Sequence, residues 1–100
     1  MKRNIVFSKN AENSLIKLID YLEKKWSIKV KNEFISKLDK TTSIIQNEPE
    51  IFPKSFLNKN IHRGVITKQT TIYYRFSNTE IRVLALFDTR KNPTKIKNIK

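Results

Sequence analysis

The sequence predicts an α+β fold in which an antiparallel helical hairpin packs on a mostly antiparallel sheet, in the order β-α-α-β-β-β. Three observations predict it. Apolar residues recur at helical spacing over 9–25 and again over 28–47, with neither Gly nor Pro inside either stretch. Short runs rich in β-branched and aromatic residues stand at 5–7, 61–67, 70–76 and 81–87. The join between the two helices is too short for anything but a hairpin, and polar breaks separate the later runs.

Ile5–Phe7 reads as the first strand. Ser8 stands where an N-cap belongs, and Ala11, Leu15, Leu18, Ile19, Leu22 and Trp26 form the apolar stripe of helix 1, with Glu12, Lys17, Asp20, Glu23 and Lys24 on the other side. Ser27 is a second cap. Val30, Phe34, Leu38 and Ile45, supported by Ile35, form the stripe of helix 2, which Pro49 ends because proline lacks an amide donor and restricts its predecessor. Trp26, at the turn, is expected to pack rather than to stack on a ligand. The loop over 48–60 is expected to be pinned by Ile51, Phe52, Phe56 or Leu57.

In the third run, Gly64 marks a bulge or a close backbone approach. A turn at Lys68-Gln69 would place His62 across from Arg75. A loop at Asn78-Thr79 sets the last register: Phe76 against Ile81, Tyr74 against Val83 and Ile72 against Ala85 on one face. The other face then pairs Arg75 with Arg82, Tyr73 with Leu84 and Thr71 with Leu86. Like charges placed opposite each other either hold an anion or fan out into solvent. The segment from Thr89 to Lys100 carries Arg90, Lys91, Lys95, Lys97 and Lys100 without an acid. Asn92-Pro93 marks a turn in it, and its end is expected to fray unless Ile96 and Ile99 dock on a partner.

One hundred residues suit a single domain, 1–100, with 89–100 as its basic tail. Twenty-one Lys and Arg against nine Asp and Glu give +12, a field that favours an acidic partner such as nucleic acid, an acidic protein or an anionic membrane. No cysteine is present, which excludes disulfides and Cys-based zinc sites and is compatible with a reducing cytoplasm. There is no signal-peptide pattern and no run long enough to span a membrane. One Gly excludes a glycine-rich phosphate loop, and one His excludes multi-histidine metal motifs, so neither cofactor nor metal is expected.

Several segments together resemble the RelE/ParE superfamily of toxins from bacterial type II toxin–antitoxin modules. They are the Ser8-x-x-Ala11 opening, Leu15-x-x-Leu18-Ile19-x-Tyr21-Leu22, Asn47-x-Pro49-Glu50, Tyr73-Tyr74-Arg75 and Asp88-Thr89-Arg90-Lys91-Asn92-Pro93. The resemblance implies a small cytoplasmic toxin that arrests growth, belongs to a plasmid-stabilising module and is neutralised by a cognate antitoxin in a hetero-oligomer. An acidic antitoxin suits the +12 charge. Tyr21 and Trp26 are the expected antitoxin contacts unless both are buried within the chain.

The superfamily divides into ribosome-dependent messenger ribonucleases, RelE-like, and inhibitors of DNA gyrase, ParE-like. Cleavage through a 2′-OH needs a base, cations for the growing phosphate charge and an acid for the leaving oxygen. Laid on the RelE-like pattern, this chain keeps Arg90 after the last strand. It has Thr71 at the middle-strand arginine, His62 and Gly64 near the two lysines, and Ile96 near the terminal tyrosine. The set is largely absent, so the ParE-like reading is favoured: a basic surface that binds without turnover. Arg75, Arg82 and Arg90 are the expected target-binding cations, with Lys68 and Tyr73 beside them. Were the chain a ribonuclease, His62, Lys68, Arg75, Arg82 and Arg90 would be its catalytic candidates. Asp88 is expected to orient Arg90 or the chain exit, since the surrounding cations keep it ionised. A third reading is a nucleic-acid-binding module with Tyr73, Arg75 and Arg82 as its stacking and phosphate surface.

Overall fold

Two serines set where the helices begin. Ser8 Oγ accepts from the Ala11 amide at 3.1 Å and Ser27 Oγ from the Val30 amide at 3.1 Å, each satisfying a donor that the first helical turn leaves over. The helices so opened are α1 (Lys9–Lys25) and α2 (Ile28–Asn47), in a computed structural model that describes residues 2–56 and 60–91. α2 stops where expected: the Glu48 amide bonds to the Ile44 carbonyl at 2.8 Å, and Pro49 follows.

Four strands form one sheet in the order β1-β4-β3-β2: β1 (Asn4–Phe7), β2 (His62–Val65), β3 (Thr70–Phe76) and β4 (Glu80–Asp88). β1 lies parallel to β4, and the other pairings are antiparallel. The crossover from β1 to β4 carries both helices to one face. There Leu18, Leu22, Phe34, Leu38 and Ile45 meet Ile72, Tyr74, Ile81, Val83 and Leu86 in the core. Each such side chain contributes about 1.5–3 kcal/mol by leaving water, so the helical hairpin is held mainly by this layer contact.

The β3–β4 register follows the expected one only as far as Tyr74. Phe76 pairs with Ile81, Arg75 with Arg82 and Tyr74 with Val83. A shift between Tyr73 and Tyr74 then leaves Leu84 as an extra residue on β4. Tyr73 pairs with Ala85 instead of Leu84, Ile72 with Leu86 instead of Ala85, and Thr71 with Phe87 instead of Leu86. The bulge has a use. The Leu84 carbonyl accepts from Ser8 Oγ at 3.2 Å, so the residue that caps α1 also ties it to the middle of the sheet.

The β2–β3 turn is also one residue off the expected register. His62 pairs with Tyr74, not with Arg75, and so faces the core. Thr67 sets the turn, its hydroxyl accepting from the Gln69 amide at 3.1 Å and the Thr70 amide at 3.0 Å. Of the expected loop pins, Phe52 packs on the core, while Ile51 and Phe56 are exposed; Leu57 lies outside the described residues, as do Asn92–Lys100. Trp26, expected to pack, is 55% exposed.

Gly64 is a close approach. A Cβ there would lie 2.9 Å from Phe52 Cδ2 and 3.1 Å from Ile72 Cγ2. Gly64→Ala is expected to destabilise the fold by about 1–3 kcal/mol in urea denaturation, because the Phe52 ring must move. Tyr74 supplies a pH test. Burial pushes its phenol up to about 12, against an ordinary value of 10.0, although the Phe52 backbone partly offsets the rise. The unfolded chain therefore loses this proton first, and the stability Tyr74 contributes below pH 10 falls away as pH climbs towards 12. Tyr74→Phe should lose about 1 kcal/mol at neutral pH with its bond to the Pro49 carbonyl. It should also show a shallower alkaline decline than the parent.

Candidate functional site

With both helices on one side, no described element covers the opposite face of the sheet, and strand alternation decides what this open face shows. On β2 it presents Arg63 and Val65, both exposed. β3 adds Thr71, Tyr73 and Arg75, and β4 adds Arg82, Ala85 and Phe87. Arg63 pairs directly with Tyr73, and Arg75 with Arg82. Arg82 turns to its own strand, its Nη2 lying 3.0 Å and its Nε 3.2 Å from Glu80 Oε2. That relieves the like-charge pair. It also leaves Arg75 and Arg63 with no ion-pair partner among the described residues. The Tyr73 and Phe87 rings meet edge to face at 5.7 Å, giving the open face an aromatic patch between its cations and the end of β4.

Arg90 belongs to a different arrangement. Asp88 ends β4 facing inward, 2% exposed, and a buried carboxylate needs partners. Its Oδ1 accepts from the Arg90 amide at 2.9 Å and Arg90 Nε at 3.0 Å. Oδ2 accepts from Arg90 Nη2 at 2.7 Å and from the Thr70 hydroxyl at 2.5 Å. Burial alone would raise the Asp88 carboxyl. The hydrogen bonds from the Arg90 side chain, the Thr70 hydroxyl and the Arg90 amide, with the arginine's charge, outweigh it and hold the group below the usual carboxylate range. Arg90 in turn holds its proton more tightly, chiefly through its bond to Asp88. The guanidinium lies 5.7 Å from the Trp26 ring centre, and the Tyr21 hydroxyl donates to the Arg90 carbonyl at 3.0 Å.

The expected target-binding residues therefore divide. Arg75, Arg82 and Tyr73 share the open face, near the β3–β4 turn or midway along the strands. Lys68, exposed on the β2–β3 turn, and Arg90, 14% exposed, stand at the other end. Thr70 to Arg75 spans about 17 Å of strand. His62 is on neither group's surface. Its ring stacks on Tyr74 at 5.5 Å and meets Phe76 at 5.3 Å, and its Nδ1 bonds the Phe52 carbonyl at 2.7 Å. Tyr21 and Trp26 come together with Arg90 at the tip of the helical hairpin.

Sequence reasoning missed Arg63. The misplaced β2–β3 turn assigned it to the wrong face, and the signal that could have placed it was Thr67, a side-chain acceptor at the head of the turn. Because Asp88 is buried, Arg90→Ala should cost about 3–5 kcal/mol in chemical denaturation by leaving a carboxylate unpaired. Adding Asp88→Asn should recover more than half of that loss. A double variant whose cost equals the sum of the two single-variant costs would show that the pair contributes no coupling.

The profile of the ParE toxin of the type II toxin–antitoxin system, parDE, matches residues 5–93. Among solved structures, the chain is similar to a chromosomal ParDE toxin–antitoxin system from P. aeruginosa. The TM-score is 0.71 at 9% identity, over 87% of this chain and 96% of that one. It is also similar to the DinJ-YafQ toxin–antitoxin complex of E. coli, with TM-score 0.61, 13% identity and 91% and 97% coverage. A YoeB dimer from Staphylococcus aureus gives TM-score 0.59, 16% identity and 87% and 97% coverage. No curated protein sequence matches the chain. The strand, helical hairpin and four-stranded sheet are the fold those structures share, and with the profile covering nearly the whole length, the chain belongs to the ParE toxin family of type II toxin–antitoxin systems.

Proposed function

We propose that this toxin arrests growth by binding DNA gyrase through the open face of its sheet, without catalysing a reaction, and that an acidic antitoxin neutralises it. The observation that carries the reading is the face itself. Among the described residues Arg63 and Arg75 stand there without acid partners, on the strand positions around Tyr73, and Glu80 of the neighbouring strand is engaged by Arg82. Cations around an aromatic make an anchor for an acidic protein surface, and the +12 field would speed its approach.

The ribonuclease alternative has less support. A general acid or base must reach the reacting phosphate, and His62 lies under the sheet between Tyr74 and Phe76. Arg90 serves Asp88. The antitoxin is assigned to the hairpin tip, where the exposed Trp26 stacks on Arg90 beside Ile28, 61% exposed, among Lys24, Lys25 and Lys29. An apolar side chain flanked by carboxylates would fit that surface.

The deciding experiment adds purified toxin separately to a gyrase supercoiling reaction and to ribosomes translating a defined message. Inhibited supercoiling with an intact message is expected. A message cut at the ribosomal A site, with supercoiling untouched, would replace this reading by the ribonuclease one. Charge reversal at the exposed pair, Arg63→Glu with Arg75→Glu, should raise the half-inhibitory concentration by about tenfold or more while thermal unfolding is unchanged.

A further inference from the structure

Along α1, Asn10, Asn13, Ser14 and Lys17 follow one another at steps of three, one and three, and so share one side of the helix. The stripe beside them, Ala11, Leu15, Leu18 and Leu22, goes into the core. The polar side does not simply face open water. Together with Phe87 and Asp88 from the end of β4 and Lys91 from the turn beyond it, it lines a cleft of about 240 Å³.

The chemistry of the lining narrows what the cleft can hold. Lys17 and Lys91 form no ion pair among the described residues. The one acid, Asp88, has both oxygens turned to Arg90 and Thr70, so its charge is offset in place. The Asn10 side-chain amide donates to the Leu84 carbonyl at 3.4 Å, so what remains for a ligand is two ammonium groups, the Asn13 side-chain amide and the Ser14 hydroxyl. A phosphate group, with a charge of about −1 to −2 and several acceptor oxygens, matches that set, whereas a cation or an apolar ligand does not.

We propose that this cleft binds a phosphate group, with Lys17 and Lys91 neutralising its charge and Asn13 and Ser14 donating to its oxygens. Phe87 forms the wall towards the open sheet face, where its ring meets Tyr73. A phosphate held here therefore lies at the margin of that face. It would come either from a nucleic-acid backbone or from a free phosphate compound. The assignment does not depend on gyrase being the target.

The test is an amide-resolved NMR titration of the full chain. Sodium phosphate, sodium chloride at matched ionic strength, and a twelve-nucleotide single-stranded DNA are added in separate series. Phosphate should produce saturable shifts confined to residues 10–17 and 86–91 that chloride does not. Lys17→Gln with Lys91→Gln should weaken the response by about tenfold or more, and its spectrum otherwise reports whether the fold is intact. If the oligonucleotide shifts the same amides at far lower concentration and is displaced by phosphate, the backbone is the source. If it leaves them unmoved while phosphate shifts them, the source is a free phosphate compound. Equal responses to phosphate and chloride, shifts elsewhere in the chain, or an unweakened double variant would overturn the proposal.

Discussion

One buried negative charge does more to arrange this molecule than any other polar group. The Asp88 carboxylate sits at the inner end of β4, almost without exposure. A charge so placed is tolerated only if it is fully partnered, and its partners come from different parts of the chain. Thr70 supplies a hydroxyl from the first residue of β3, and Thr67 donates to Thr70 in turn at 3.2 Å. Arg90 reaches back from beyond the strand with its amide and its guanidinium. Beside them, the Thr89 amide bonds to the Gln69 carbonyl at 2.9 Å. The β2–β3 turn, the exit from the sheet and, through Trp26 and Tyr21, the hairpin tip are gathered around one side chain.

That arrangement divides the positive charge into roles. Arg90 spends two of its donor groups on Asp88 and shows little of itself to solvent, so it acts first as an internal counter-ion. Arg82 is engaged by Glu80. Among the described residues without an ion-pair partner are Arg63 and Arg75 on the sheet face away from the helices, and Lys17 and Lys91 in the cleft at its margin. The two-layer architecture makes this division possible. A sheet covered on both faces would have no room for exposed arginines in the middle of its strands.

Much of the fold was legible because local signals agreed. Two serine caps, apolar stripes and Pro49 set both helices, and the pairing of the last three strands followed from short polar breaks, whereas the place of β1 beside β4 was not read. The register was harder to read. Ile81 to Phe87 is nearly continuous in apolar residues, so no alternation marks Leu84 as the extra residue. Its purpose, accepting a bond from Ser8, lies some 76 positions away in sequence. At the other turn, Thr67 rather than Lys68-Gln69 decides the geometry. A slip of one residue turns every side chain to the opposite face, which is why His62 was expected beside the arginines and Arg63 was not. That Asp88 would orient Arg90 or the chain exit was readable from the cations around it, and Arg90 does donate to it. The depth of Asp88, and hence the sequestration of Arg90, was not, because burial at a strand end depends on what packs over it.

The measurement that bears most directly on this account is the titration of the Asp88 carboxyl carbon, followed by NMR in the intact chain from neutral pH downwards. The ordinary value for the group is 3.8. A carboxylate locked by Arg90 and Thr70 should titrate below it, with the amides of Thr70 and Arg90 moving in the same transition. A midpoint at or above the ordinary value, or a transition that leaves Arg90 unmoved, would mean that the arginine is free and that the division of charge described here is wrong.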